Sequence, residues 1–371
     1  MAVDGRFVIG GPALPAAAGR RTATVTSASR PRASRRALAV LASSAFAVSA
    51  ACGGSGTGQV RPRNDVPEPA TAPAATGELP GRIVALPGEP EGLVWDSRTA
   101  TIAAAVRKPD GVALLDATTG KERARIPLAG AARHLQLAGP GGPLLVPSEG
   151  NDRLYRLSLP MGTVASEAPV GRQPHDAAPA AGGRVFVGDE LADTVHVVAP
   201  DGTSRVVPAP AQPGGVASSS DGSVVAVVGV RGRRIQAYAP DGRMLGEADC
   251  GVGPTHVRAG AGGLFYVADT QGGAVLVFRA GPDGIRQVGR ESTGGGAPYG
   301  LAVDAARSRL YVTLTGTNQL RSYRIDGEKL SADRSWATVR QPNDVAVDDV
   351  TGRVAVAGTG DGLLQFIDPT A

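Results

Sequence analysis

The sequence predicts an all-β fold, a seven-bladed β-propeller. Three observations predict it. A pattern of apolar runs and turns recurs seven times, its period is that of propeller blades, and the last copy lacks one strand that the chain supplies at its other end. The copy at Pro174 reads PHDAAPAAGGRVFVGDELADTVHVVAPDG, and the one at Pro298 reads PYGLAVDAARSRLYVTLTGTNQLRSYRIDG. The copies start at Pro90, Ala132, Pro174, Pro213, Pro254, Pro298 and Pro342, spaced by 42, 42, 39, 41, 44 and 44 residues.

Each copy reads as four strands, A to D, after a proline-led turn. In the Pro298 copy these are A over 301–304, B over 310–314 and C over 320–325, with D following the Asp326-Gly327 turn. Asp-Gly is a hairpin signal because a tight primed turn needs positive φ. It recurs at Asp201-Gly202, Asp241-Gly242 and Asp283-Gly284. No segment of useful length has helical period. The seventh copy ends after three strands, whereas GRIVALP at 81–87 precedes the first copy as an orphan strand. Pairing the two closes a ring and protects its edges, which favours seven blades over six, eight or an open solenoid.

The body begins near residue 80; what precedes it is read as targeting and tether. Residues 34–52, SRRALAVLASSAFAVSAAC, place Arg35 and Arg36 before a modest apolar stretch, then small residues, then Cys52. This is signal-peptide anatomy, and the stretch is short for a membrane span. Residues 1–51 are therefore expected to be a leader. Residues 52–79, rich in Gly, Pro, Ala and Thr, are expected to be a flexible tether, and 80–371 the propeller. The leader holds seven arginines and one acid, which leaves 31 basic against 33 acidic residues in the rest. The formal charge of +4 thus belongs to the leader, and no basic stripe argues for nucleic acid. Aromatic residues make up 4%, too few for a base-stacking surface.

Three resemblances follow from quoted residues. The run ending in Cys52 resembles a bacterial lipoprotein signal, which implies lipidation of Cys52. Ser34-Arg35-Arg36 with Leu38 resembles, more faintly, a twin-arginine signal. Leu310-Tyr311-Val312-Thr313 with Asn318, and Phe265-Tyr266-Val267-Ala268-Asp269, resemble the YVTN-type and NHL repeats of bacterial propellers over residues 81–370. Ala132-Arg133-His134 lacks the usual proline, and VAVVGVRGR at 225–233 lacks the aromatic residue. The resemblance implies an envelope-binding protein, a lactonase, an antibiotic-directed lyase or a zinc-dependent amidating lyase. It does not choose among them. The leader and its resemblance to a lipoprotein signal imply an exported protein, lipid-anchored or secreted, touching membrane only through the anchor.

Chemistry is expected at one mouth of the channel. Of four histidines, His134, His175 and His256 fall in the proline-led window of blades 2, 3 and 5. Converging imidazoles suit Zn²⁺ or a similar ion, and nearby carboxylates would also suit Ca²⁺. In this resemblance the amidating lyase's metal histidines sit in such turns. Glu91, Arg133, Asp176, Tyr299, Asn343 and Asp344 share the window and are expected to line a binding mouth. Glu149, Asp152, Asp189, Glu190 and Asp269 lie near the B–C loops. Asp189 and Asp269 fall at one repeat position, which favours turn bracing over chemistry. No nucleophile elbow, phosphate loop or Cys-x-x-Cys is present. Cys52 and Cys250 exclude a disulfide framework; Cys250, Trp95 and Trp336 read as packing. The leading expectation is a monomeric binding module for a small molecule or an envelope protein. The alternative is a metal-dependent lyase or hydrolase using the three histidines.

Overall fold

The computed structural model describes residues 67–370; the leader, Cys52 and the first part of the expected tether lie outside them. The described residues form seven four-stranded antiparallel sheets. Blades 1 to 6 span 89–127, 136–169, 174–208, 213–249, 254–292 and 298–337. Blade 7 takes Pro342–Val347, Val354–Gly358 and Leu363–Ile367, and Arg82–Ala85 pairs onto its last strand, Arg82 opposite Phe366 and Ala85 opposite Leu363. The N-terminal strand therefore closes the ring, as the orphan strand predicts. Both ends of the fold are tied into one sheet, so no blade is left with an open edge at the seam.

Alternation of side chains builds the core. In strand B of blade 5, Phe265 and Val267 face blade 4, where they meet Val228 and Ile235. Tyr266 and Ala268 face blade 6, where they meet Leu301, Leu310 and Val312. Each central strand is buried on both faces and reads as a nearly unbroken apolar run, while the outermost D strands are largely exposed.

One detail differs from expectation and aims the site. The prolines do not lead a turn; in blades 3 to 7 they are the first residues of the innermost A strands, as in Pro298–Asp304. The pairing of A with B then shifts register within three residues, between Pro174 and Asp176, Pro254 and Val257, and Pro342 and Asp344. Such bulges turn side chains off the sheet normal. Blade 2, whose copy starts with Ala132, has an A strand of only Gln136–Leu137.

The A strands also pack closely at this level. A Cβ on Gly92 would lie 2.3 Å from the Arg133 carbonyl oxygen, and one on Gly300 2.6 Å from the Asp344 Cα. Glycine is required there by the neighbouring blade.

Candidate metal centre at the channel mouth

The second and third residues of the repeat form two stacked rings. The upper ring contains Glu91, Arg133, His175, Thr255, Tyr299 and Asn343. The lower contains His134, Asp176, His256 and Asp344, with glycine in the other three blades. His175, one residue out of phase with the other two histidines, comes from the upper ring and still lies beside them. The His134 and His256 rings are 4.1 Å apart and edge-on, and His134 and His175 are 4.9 Å apart, centre to centre. One ligand nitrogen from each of the three lies within 4.8 Å of the others. An ion held at about 2.1 Å by three nitrogens would set them roughly 3.4 Å apart, inside that envelope.

All three imidazoles are buried, at 4%, 7% and 4% exposure for His134, His175 and His256. Burial, then the neighbouring rings and Arg258, hold His134 well below the ordinary imidazole range; burial, then Arg258 and His175, do the same for His256. Both are neutral at neutral pH, the form that ligates metal. His256 Nδ1 lies 3.1 Å from the Tyr299 carbonyl oxygen, which only accepts, so Nδ1 carries the proton and Nε2 keeps its lone pair. The Nε2 atoms of His134 and His256 are buried and have no hydrogen-bond partner among the described residues. Buried polar atoms rarely remain unpaired. The usual second contact of a ligating histidine is present at His256, with the first contact left open.

Carboxylates complete the cluster. His175 Nδ1 lies 3.0 Å from Glu190 Oε2 and 3.6 Å from Glu149 Oε1. Burial would raise Glu190, but the hydrogen bonds from His175 and Gln212 and the charge of Arg133 outweigh it and bring the carboxyl to about 2. Gln173 and Gln212 donate to its two oxygens at 3.0 and 2.7 Å. Glu149 faces Arg107 at 3.2 Å and Arg133 at 3.2 Å. The result is a buried His/Glu cluster with the donors of a metal site.

The other expected residues separate by depth. Glu91, Arg133, Tyr299 and Asn343 are at the mouth. Glu91 pairs with Arg107 at 3.5 Å and accepts from Asn343 at 3.1 Å; burial raises its carboxyl despite Arg133 and Arg107. Tyr299 presents its ring to His256 at 4.2 Å, and burial raises its phenol. Asp176 and Asp344 lie one layer lower and clamp blades: Val216 N–H donates to Asp176 and Leu93 N–H to Asp344, both at 2.9 Å from the next blade. Of the B–C loop acids, Glu149 and Glu190 join the histidines, while the others brace loops. Asp189 accepts from Gly171 N–H, Asp269 from Gly253 N–H, and Asp152 from Gln173 N–H. The fourth histidine, His196, is spent on Asp189 at 2.6 Å. Gln173, Gln212 and Arg107 were not singled out from sequence, although Gln recurs before the proline in blades 3, 4 and 7.

The expected tether also has a fixed part. Residues 67–73 cross the mouth: Ala70 N–H donates to Thr315 Oγ1 at 3.1 Å, Asn318 Nδ2 donates to the Pro73 carbonyl at 2.9 Å, and Glu68 pairs with Arg133 at 3.4 Å. Beneath Pro67 and Glu68 lies a cavity of about 20 Å³, walled by His175, Glu190, Gln212 and His256. That is room for one water molecule or one ion. Beside it a pocket of about 410 Å³ is lined by Glu68, Glu91, Arg107, Arg133 and Asn343.

No family model and no curated sequence matches the chain. Solved structures do. Virginiamycin B lyase from Staphylococcus aureus superposes with a TM-score of 0.64 at 15% identity over 78% of this chain and 99% of that one. Hydrazine synthase of Kuenenia stuttgartiensis gives 0.64 at 14% over 79% and 96%. A chain of the mitotic checkpoint complex gives 0.66 at 14% over 84% and 98%. The likeness is one of fold alone. It spans two enzymes and a protein assembly, so architecture leaves the chemistry to the site.

Proposed function

We propose that this propeller is a metal-dependent lyase or hydrolase whose centre is His134, His175 and His256. One observation carries the reading: three buried imidazoles converge, and two of them leave a buried Nε2 without a partner among the described residues. Three histidines with flanking carboxylates form a nitrogen-rich, borderline donor set, which favours Zn²⁺ or a similar ion over all-oxygen Ca²⁺. When bound, such an ion polarises a carbonyl or lowers the pKa of water. The protein's own residues do the rest. Tyr299's carbonyl fixes the His256 tautomer. Glu190, ionised and held by Gln173 and Gln212, accepts a hydrogen bond from His175 Nδ1–H, which would leave Nε2 as the ligand atom. Glu149, whose Oε1 lies 3.6 Å from His175 Nδ1 and is ion-paired with Arg133 at 3.2 Å, is the second carboxylate at the centre and the candidate acceptor for a substrate proton. Two similar folds, virginiamycin B lyase and streptogramin B lyase, are lyases by name, which supports such chemistry on this architecture.

The test is metal content of the full chain, purified without chelator, by elemental mass spectrometry. About one equivalent is expected, and a folded triple His→Ala variant should hold none. Glu190→Gln should weaken binding by roughly 10- to 100-fold, the usual effect of removing the partner of a ligating histidine. No metal after soaking with Zn²⁺ would refute the reading. Export and lipidation at Cys52, and kinship with YVTN and NHL repeat proteins, remain part of the proposal. Radiolabelled palmitate incorporated by the wild type and not by Cys52→Ala would support the anchor.

A further inference from the structure

We propose that the mouth is a peptide-binding groove for an extended, proline-containing chain bearing an acidic residue, and that residues 67–73, PEPATAP, occupy it in cis. The grip on this segment is of the kind that reads any extended peptide. Thr315 accepts a backbone N–H, and Asn318 and Arg340 donate to the carbonyls of Pro73 and Ala72, at 3.1, 2.9 and 3.2 Å. These are side-chain contacts from blade 6 and from the loop between blades 6 and 7, not strand pairing, so the segment is held without becoming part of a sheet. One contact reads a side chain. Arg133, 21% exposed, meets the Glu68 carboxylate, itself 61% exposed.

The same segment divides one opening into two. Glu68 and Arg133 line both the small cavity over the histidines and the 410 Å³ pocket beside it. Lifting 67–69 would merge them into a cleft in the range of small-ligand sites. In place, Pro67 is buried over the histidine cavity and leaves room for little beyond a water or an ion. A substrate of this chemistry would set one residue over the histidines and the next, acidic, on Arg133. That register rests on the reading of the histidines as the reacting centre; the binding does not.

The probe is fluorescein-labelled PEPATAP, added with zinc and with chelator. The proteins are the full wild-type chain and a full chain in which 67–73 is replaced by alternating glycine and serine of equal length. A tethered segment competes at about millimolar effective concentration. The replaced chain should therefore bind at least ten-fold tighter than wild type. An exposed carboxylate pair contributes little, so Arg133→Met in the replaced chain, or a PQPATAP probe, should weaken binding by about two- to five-fold. In wild type, the Ala70 amide should be protected from hydrogen exchange, and excess free peptide should remove the protection. No binding by a replaced chain that melts like wild type, equal binding by both chains, or an unprotected Ala70 amide would each overturn the groove. Equal affinity for PQPATAP would overturn the role of Arg133. Metal bound without peptide would leave the centre standing and this inference refuted; peptide bound without metal would do the reverse.

Discussion

Blades 2 and 5 carry histidine at the third residue of the repeat, and blades 3 and 7 carry aspartate at the same place. The aspartates are fully engaged: Asp176 accepts from Val216 N–H, Ala177 N–H and Gln136 Nε2, and Asp344 from Leu93 N–H and Val345 N–H. The histidines at that register each keep a buried Nε2 that has no hydrogen-bond partner among the described residues. The same position in the same fold thus serves closure in two blades and is left unsatisfied in two others. A repeat protein shows its function most plainly where the repeat is kept in place but not used for stability.

The largest expected effect tests the closure half of that contrast. Asp176→Ala removes a buried carboxylate, strands two backbone donors and takes one of two acceptors from the Gln136 amide, and should destabilise the metal-free protein by about 3–5 kcal/mol. Asp344→Ala, with two donors stranded, should lose somewhat less. Urea midpoints would check both. A change under about 1 kcal/mol would mean that these acids do not clamp the ring.

Next in size is a dependence on pH. Burial raises the Asp344 carboxyl to about 6 against an ordinary 3.8, despite Arg258 and the two backbone donors, and it raises Asp176 in the same direction. The folded state then binds the proton more tightly than the unfolded chain. Asp344's contribution is fully present below about pH 4 and is lost as pH rises to about 6, a fall of roughly 3 kcal/mol. Asp344→Asn should flatten that part of the stability curve, measured as urea midpoints from pH 4 to 7. A curve unchanged by the substitution would show that Asp344 is not the titrating group.

Gly92→Ala is expected to be milder, about 1–3 kcal/mol, because the new Cβ meets the Arg133 carbonyl at 2.3 Å and blade 1 must part from the segment that enters blade 2 to admit it. The shift should also disturb the mouth through Arg133. A wild-type melting temperature would mean that the blades slide more easily than their packing implies.

The ring was legible because closure depends on local signals that recur: Asp-Gly turns, alternating apolar strands and the orphan strand at 81–87. The three histidines were legible as a set for the same reason, since neighbouring repeat positions in different blades come together at one end of the channel. What the sequence could not carry was direction. The register shift between Pro174 and Asp176, which flanks His175, is seen only in pairing. The split among the acids is likewise tertiary. Glu190 follows Asp189 directly, yet Asp189 binds Gly171 N–H and His196 while Glu190 binds His175. Residues 67–73 were read as tether because nothing periodic marks a segment held by single side chains from distant blades.

The smallest expected stability change is the most informative about the other half of the contrast. His134→Leu keeps the apolar bulk and removes a buried nitrogen that has no partner among the described residues. In the metal-free protein it should shift stability by about 1 kcal/mol or less, and toward greater stability, because the desolvated nitrogen has no hydrogen bond there to lose. With metal present the order should reverse. An ion that binds only the folded state at a thousand times its dissociation constant adds about 4 kcal/mol to wild type. The leucine variant, short of one ligand, should gain far less. Melting curves of both proteins with chelator and with Zn²⁺ measure the crossing. If the variant is several kcal/mol weaker without metal, His134 is a structural residue like Asp176, and the distinction between the two kinds of blade disappears.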